Sequence, residues 1–421
     1  MKILQVAERT YPARGGVELH TAKISELLVK RGHHVTLVVL NSEDPRDCGY
    51  GVTYQKPYLV TRPRKPVLPR EEYWNGVRML RFESKIQLFS YYWSPAMLAW
   101  LLENAGEFDI MHTHALRFSN NEFTALAHVK SRTPFILTGH NKLKLDYMGL
   151  LALTIDKVYR ATIGKLLLSM AERVIAFDKD YAEDYHKLYG VPDEKIRIVP
   201  NGVDYAYYND LPDGYELKEV LGNPENILLY IGRFIDSKNP ELLIASFKSV
   251  LKRFPKSCLL MIGEDYGSLP YCRNLATALG LKEKVVFIED THRQVKCTHE
   301  EIKLQALAIA DICIIPSDYE SFSLVALEAQ AAGVPVIASY IGGLKHVVVE
   351  GKTGLFLKER TTHEIAEKIN FLLRNDNTRS EMSSNARKFA RNFSWDLVTD
   401  SLLNIYKETL QDSRSIEKYR S

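Results

Sequence analysis

Little in the sequence assigns a class by itself, and several absences narrow the field. The five cysteines, Cys48, Cys258, Cys272, Cys297 and Cys313, are scattered, odd in number and form no C-x-x-C pair. That pattern argues against a disulfide framework or a zinc knuckle and for a reducing, cytoplasmic setting. The longest uncharged run, 86–102, is too short to span a bilayer and is interrupted by Gln87, Ser90, Ser94 and Pro95. The opening Met1-Lys2-Ile3-Leu4-Gln5-Val6-Ala7 has too little apolar length for a secretory leader and reads as a first strand. There is no tandem repeat and no low-complexity tract. The glycine fingerprint G-x-G-x-x-G is missing after that strand, which disfavours a nicotinamide oxidoreductase. A net charge of +3 is too even for a nucleic-acid binder.

What remains is an ordinary globular composition, 46% hydrophobic and 25% charged, over 421 residues, enough for two or three domains. The charge is unevenly placed. Residues 1–205 hold 28 Lys and Arg against 23 Asp and Glu, and the remainder 27 against 29. Strand-like runs alternate with amphipathic helical patterns throughout, as in α/β folds with parallel sheets. In the first half the strand candidates are 2–7, 35–40, 110–112, 135–138, 173–177 and 196–199. Residues 44–75 read as a long loop with irregular strands. Residues 202–225, dense in Asn, Asp, Gly and Pro, read as a connection. A second series follows at 227–231, 259–262, 285–288, 312–315 and 334–338, and 396–410 is a last amphipathic helix. The expected architecture is two Rossmann-like, doubly wound domains facing across a cleft, 1–205 and 206–395. A terminal helix, 396–421, is expected to pack back on the first. Sites in such sheets lie at the carboxyl ends of the strands.

The most telling segment is Ile312 to Ala329. An apolar β-branched run stops at Pro316, a polar turn follows, and a helix-forming run begins with Ser321 available as its cap. Glu320 would stand at the helix mouth and Glu328, seven intervening residues on, about two turns inside. The first amides of the helix, those of Ser323 and Leu324, would offer a seat for a phosphate at the positive end of the dipole. A carboxylate beside that seat can accept from sugar hydroxyls, and one deeper in from a ribose. Two glutamates at this spacing also occur by chance in surface helices. The placement after a buried strand is what favours a site.

Other motifs fall at strand ends. Gly15-Gly16 follows the first strand, where the glycines would let backbone approach a phosphate or sugar, or would serve a loop needing positive φ. His140, after 135–138, can hydrogen-bond a substrate hydroxyl or serve the core; His112 and His114 read as structural. Arg233 and Lys238, just beyond the strand that opens the second series, can neutralise a diphosphate or form a solvated surface pair. Asp178-Lys179-Asp180 follows a strand and precedes a helix, so capping explains it better than metal binding. Residues 56–85 carry eight Lys and Arg with Tyr73 and Trp74 among them, and 142–171 form a basic, apolar helical stretch. Together these can meet an anionic lipid surface, or be a loop and a core helix.

In this order and spacing the pieces resemble family 4 glycosyltransferases, the retaining, nucleotide-sugar-dependent enzymes of the GT-B fold. The likeness runs over about 1–410. It is carried by Gly15-Gly16, Gly32-His33-His34-Val35, Val199-Pro200-Asn201-Gly202-Val203-Asp204, Gly232-Arg233 with Lys238 and the Glu320/Glu328 pair. Gly333-Val334-Pro335-Val336, Gly342-Gly343 and Glu350-Gly351-Lys352-Thr353-Gly354 complete it. The resemblance implies that Arg233 and Lys238 grip the diphosphate of a nucleotide-sugar donor. It implies that Glu320 holds sugar hydroxyls, Glu328 the ribose, and the Ser323 and Leu324 amides the distal phosphate. Gly15, Gly16 and His140 would close over the transferred sugar. It implies a hexose-type transfer with no cofactor and no divalent metal, while the basic, apolar stretches 56–85 and 142–171 suggest a saccharide or lipid-linked acceptor at a peripheral membrane face. The family often carries Gly where this chain has Ser321 and Ser323. Residues 289–301 look longer and more polar than expected after the base-reading strand. Two rivals share the architecture: a nucleotide-sugar epimerase or hydrolase, and a non-catalytic sugar-nucleotide-binding protein.

Overall fold

The computed structural model describes the chain apart from Pro12, Arg14, Lys85, Ser421 and residues 42–58, 61–67, 89–90, 141–149 and 290–298. Much of 44–75 and the start of 142–171 therefore lie outside the described residues. The chain forms two units, Met1–Asn201 with Trp395–Ser421, and Gly202–Ser394.

The first unit is built on an eight-stranded sheet. Its order is Ile196–Ile198, Arg173–Ala176, Phe135–Thr138, Ile110–His114, Lys2–Val6, His34–Leu40, Val77–Phe82, Glu71–Trp74. All neighbours are parallel except the last pair. The chain leaves Lys2–Val6 in one direction and returns on its other side at Ile110–His114, so the topological switch lies between these strands. Both faces are covered, which is why the strands read as near-continuous apolar runs. Leu4, Val38, Met111, Leu137 and Val174 face one core; Ile3, Leu37, Ile110, Ile136 and Ile175 face the other.

The strand Val77–Phe82 was not legible because Arg78 and Arg81 interrupt it. Arg81 is nonetheless buried. Its guanidinium donates to Glu72 at 2.6 Å and to the Tyr11 carbonyl at 3.1 Å, so the charge is compensated inside the sheet edge. Asp178 caps the helix Lys179–Tyr189 by accepting from the Tyr181 amide at 2.8 Å.

The helix Trp395–Arg420 belongs to this unit. It packs with the helix Gly16–Lys30 against the second core through Trp395, Val398, Leu402 and Tyr406. Its polar edge is tied by Arg31 to Asp396 and Asp400 at 3.0 and 2.8 Å, and by Glu408 to Arg173 at 3.2 Å and to Arg197. Tyr406 reaches under the sheet. Its hydroxyl accepts from Gln5 Nε2 at 3.1 Å and lies 2.7 Å from His112 Nδ1. His112 Nε2 lies 2.7 Å from Thr138 Oγ1, so the hydrogen bonds run on into the sheet.

The second unit holds a six-stranded, all-parallel sheet. Its order is Val285–Glu289, Ser257–Gly263, Asn226–Ile231, Ile312–Ile315, Val336–Ser339, Gly354–Leu357. Here the switch lies between Asn226–Ile231 and Ile312–Ile315. The sequence places a boundary at 205/206 and a bare connection over 202–225. The structure instead folds Gly202 onward into the second unit: the Val203 amide bonds the Phe393 carbonyl at 2.8 Å. Short helices at Tyr205–Asn209 and Tyr215–Val220 occupy the stretch, anchored by buried Tyr208 and Leu217.

Two outcomes are expected of the first unit. Tyr406→Phe strands His112 Nδ1 and the Gln5 amide in the core and should lower stability by about 1–3 kcal/mol in urea unfolding. An unchanged midpoint would mean the hydroxyl bonds contribute nothing net. Burial also drives the His112 pKa well below 6.5, with charge on His20 a lesser cause. Below pH 6.5 the unfolded chain binds a proton there that the folded chain refuses, so stability should fall as pH drops from 6.5. The slope should be about 1.4 kcal/mol per pH unit for each such histidine. His112→Gln should shallow that slope by about one proton while stability above pH 7 changes less.

Candidate functional site

At the switch point of the second unit, hydrogen bonds sew two loops together. After Asn226–Ile231 the chain turns at Gly232-Arg233, and a 3-10 turn, Asp236–Lys238, leads into the helix Pro240–Leu251. Asn239, at φ 50°, donates through Nδ2 to the Pro316 carbonyl and to Asp318 Oδ1, each at 2.9 Å. The Asp318 amide returns a bond to the Ser237 carbonyl at 2.8 Å. These bonds fix Lys238 beside Glu320, with Nζ 2.5 Å from Oε1. Ser317 Oγ donates to the same oxygen at 3.1 Å. Arg233 is exposed, its guanidinium 5.1 Å from the centre of the Tyr266 ring, and Tyr230 holds its carbonyl at 2.9 Å. The two cations therefore stand on one turn, but only Lys238 is paired with Glu320.

The helix that follows runs Leu324–Ala331, and its cap is Ser323, not Ser321. Ser323 Oγ accepts from the Ala326 amide at 3.4 Å. The residue takes φ 77°, a left-handed conformation that costs a non-glycine residue on the order of 1–3 kcal/mol. This explains why glycine suits the position, and the hydroxyl of the serine is used in the cap. The amides of Ser323 and Leu324 precede the capped one and have no acceptor inside the helix. Glu328 sits just past the first turn, nearer than the two turns expected.

Glu328 is buried in a cluster the sequence did not reveal. Tyr208 OH donates to Glu328 Oε1 at 2.9 Å, and Lys303 Nζ lies 3.1 Å from the same oxygen. Glu300 lies 3.0 Å from Tyr208 OH and 3.3 Å from Lys303 Nζ. Burial alone would lower the Lys303 pKa; Glu328 and Glu300 outweigh it and raise the value, so the ammonium stays charged. Burial, then the same two carboxylates, pushes the Tyr208 hydroxyl well above 10. Glu328 and Glu320 share a feature. Each is tethered through Oε1, and no bond to Oε2 occurs among the described residues.

In the first unit, Gly15 and Gly16 open the helix Gly16–Lys30. Gly15 is extended, at φ 166°, so positive φ is not what requires glycine. Crowding is: a Cβ there would lie 2.3 Å from Glu18 Oε2, and Glu18 is tied to Arg9 at 2.8 Å. One turn below Gly16 stands His20, missed in the sequence although its i+4 relation to Gly16 puts it on the same face. His20 packs on His140, ring centres 4.6 Å apart, and its Nδ1 is 2.8 Å from Asn201 Oδ1. His140 Nε2 is 3.1 Å from His114 Nδ1, and His114 Nε2 is 2.7 Å from Gln5 Oε1. Gly16 and His140 are thus brought together through His20, and His114 joins them. Burial lowers the pKa of His20 to about 4 and those of His114 and His140 well below 6.5, neighbouring histidines adding to the last two. All three rings are neutral at physiological pH.

The comparisons with known proteins fit this geometry. Residues 216–389 match the family model described as Glycosyl transferases group 1, and 14–207 that described as Glycosyltransferase Family 4. The chain is 30% identical over 312 residues to a D-inositol 3-phosphate glycosyltransferase of Actinosynnema mirum, covering 72% of each chain. It is 27% identical over 423 residues to the enzyme of that name from Acidothermus cellulolyticus, covering 96% of this chain and 88% of that one. Among solved structures, Anabaena HepE in complex with UDP and glucose superposes with a TM-score of 0.73 at 20% identity, covering 97% of this chain and 99% of that one. The two Rossmann-like units are those of the GT-B fold, and the chain belongs to the family 4 glycosyltransferases.

Proposed function

We propose that the second unit binds a nucleoside diphosphate-sugar and that a hexose-type sugar passes, with retention, to a saccharide or lipid-linked acceptor. The observation that carries this is the Lys238–Glu320 pair set beside the Ser323-capped helix end. A carboxylate next to a diphosphate is repulsive unless a cation stands between them. Lys238 does that: it compensates Glu320 now and the diphosphate when donor arrives. Arg233, exposed on the same turn, adds a second cation. The Ser323 and Leu324 amides take the distal phosphate, Glu320 Oε2 accepts from sugar hydroxyls and Glu328 Oε2 from the ribose. In the first unit, neutral His140 is a hydrogen-bonding ring available to a sugar hydroxyl, with Gly15 and Gly16 at the helix start above His20.

Charge dictates the chemistry. As the bond from the sugar's anomeric carbon to phosphate breaks, negative charge grows on the diphosphate, and Lys238, Arg233 and the amides stabilise it. The acceptor oxygen bonds the anomeric carbon on the face the phosphate leaves, and its proton goes to a leaving phosphate oxygen. The residues supply the positive charge themselves, so no divalent metal is required. HepE is a UDP- and glucose-bound relative in fold, which makes UDP-glucose the first donor to try.

The test begins with a thermal-shift screen of nucleotide-sugars, since a tight donor stabilises by RT ln(1 + [L]/Kd). Transfer is then measured in EDTA. Arg233→Ala should cost on the order of 2–4 kcal/mol in kcat/KM, roughly 30- to 1,000-fold. Lys238→Ala should cost more, because it also leaves Glu320 uncompensated. Glu320→Gln should cut transfer strongly with the fold intact. Full turnover in all three, or donor consumption without any acceptor, would refute the assignment.

For the acceptor we propose a lipid-linked or saccharide substrate at a cytoplasmic, anionic membrane face. In the helical run 150–170 the apolar side chains of Ile155, Val158, Ile163 and Leu166 are about half exposed, with Lys157 and Lys165 exposed beside them. No described helix is long and apolar enough to cross a membrane. Apolar contact with flanking cations, each worth ~1 kcal/mol near such a surface, suits peripheral docking. The chain should co-sediment with anionic liposomes, less so as salt rises and less with Val158→Ser/Leu166→Ser. Equal partition to neutral and anionic vesicles, or none to either, would leave a soluble acceptor.

A further inference from the structure

Three of the buried histidines have a geometry that hydrogen bonding among themselves does not exhaust. One ring nitrogen from each of His20, His114 and His140 lies within 4.8 Å of the other two. All three residues are buried. His20 Nε2 is buried and has no hydrogen-bond partner among the described residues. Its other nitrogen faces the Asn201 side-chain oxygen at 2.8 Å, so Nδ1 carries the proton and Nε2 presents a lone pair. His114 is arranged the same way: Nε2 donates to Gln5 Oε1 at 2.7 Å, and Nδ1 presents its lone pair toward His140 Nε2, 3.1 Å off. Tying the outer N–H of an imidazole to an amide oxygen is how proteins orient histidines that ligate a metal. A separation of 3.1 Å also suits two nitrogens on one tetrahedral ion with metal–nitrogen bonds near 2.0–2.1 Å.

We propose that His20, His114 and His140 form a binding site for one divalent transition-metal ion of borderline softness, Zn²⁺ being the type and Co²⁺ a usable probe. Three neutral imidazoles suit such ions and not Mg²⁺ or Ca²⁺, which take oxygen ligands. Gly16, one turn above His20, is exposed and has no side chain to cover the ring. In the metal-free form the lone proton between His114 and His140 would sit on His140 Nε2; binding moves it to Nδ1. The site is not a requirement for transfer. His140 is also proposed as a partner for a sugar hydroxyl, so binding is measured without donor.

The test uses the full chain without an affinity tag, stripped of metal. Zn²⁺ is titrated against a chromogenic chelator, and Co²⁺ binding is followed by its visible absorption. One equivalent should bind at micromolar Kd or tighter, with the intense visible bands of a low-coordinate Co²⁺. His20→Gln and His114→Gln should each weaken binding at least tenfold. His114→Gln disturbs the bond to Gln5 and can unfold the unit, so His20→Gln with a circular dichroism check decides. Cys48→Ser/Cys297→Ser should leave the affinity unchanged. No binding below millimolar, an affinity unaltered in His20→Gln, or loss in the cysteine variant would overturn the proposal and leave a purely hydrogen-bonded histidine core.

Discussion

A close backbone contact governs the second unit. Gly342, at φ 39°, and Gly343 press on the loop that carries Glu320: a Cβ on Gly342 would lie 2.3 Å from the Glu320 carbonyl oxygen. A Cβ on Gly343 would lie 2.4 Å from the Phe322 Cα. The Gly343 amide donates to that same Glu320 carbonyl at 3.0 Å. The backbone of Glu320 is therefore clamped by a turn after Val336–Ser339, while its carboxylate is held by a turn after Asn226–Ile231. The strands on both sides of Ile312–Ile315 position one residue. Any side chain at Gly342 or Gly343 would push the loop away from Lys238 and misdirect the helix start that Ser323 caps.

The first unit obeys a different constraint. Its central strands carry Gln5, His112 and His114 at positions where a purely apolar core would be expected. Each buried polar atom left unpaired would cost about 1–3 kcal/mol. The network answers this by running from Thr138 through His112, Tyr406, Gln5 and His114 to His140. One end lies in the sheet; the other emerges where Gly16 begins its helix. Tyr406, supplied by the last helix, is the junction. The terminal helix is thus a structural support for the orientation of the histidines at the switch point, although it lies far from them in sequence.

These two constraints explain what could be read from the sequence. The strand positions of the second half were legible because buried parallel strands leave uninterrupted β-branched runs, as in Ile312-Cys313-Ile314-Ile315. The placement of Arg233, Lys238 and Glu320 just beyond strand ends was legible because they follow such runs within a few residues. Val77–Phe82 was hidden by Arg81, whose partner Glu72 sits on a neighbouring strand, and no local pattern announces that pairing. The cap was misassigned to Ser321 because both serines are good caps and only the left-handed φ at Ser323 separates them. Tyr208 and Lys303 carried no signal at all. Their role depends on meeting Glu328 across 120 and 25 residues of sequence. His20 had a faint one, its helical spacing from Gly16.

The tethering of both glutamates bears on how a donor would be received. A carboxylate has two oxygens and about four acceptor positions. Lys238 and Ser317 meet Glu320 on Oε1; Tyr208 and Lys303 meet Glu328 on Oε1. The bonds that orient each side chain are therefore made by one oxygen, and the other is left for hydroxyl donors. A ribose or hexose can add its bonds without breaking those already formed, so little reorganisation is charged against binding. Held in place by cations, the two carboxylates also carry less net negative charge toward an incoming diphosphate. Were either glutamate a surface residue with free rotamers, the donor would have to order it and overcome its charge together. The observed arrangement separates those costs from binding and places them in the folding of the second unit.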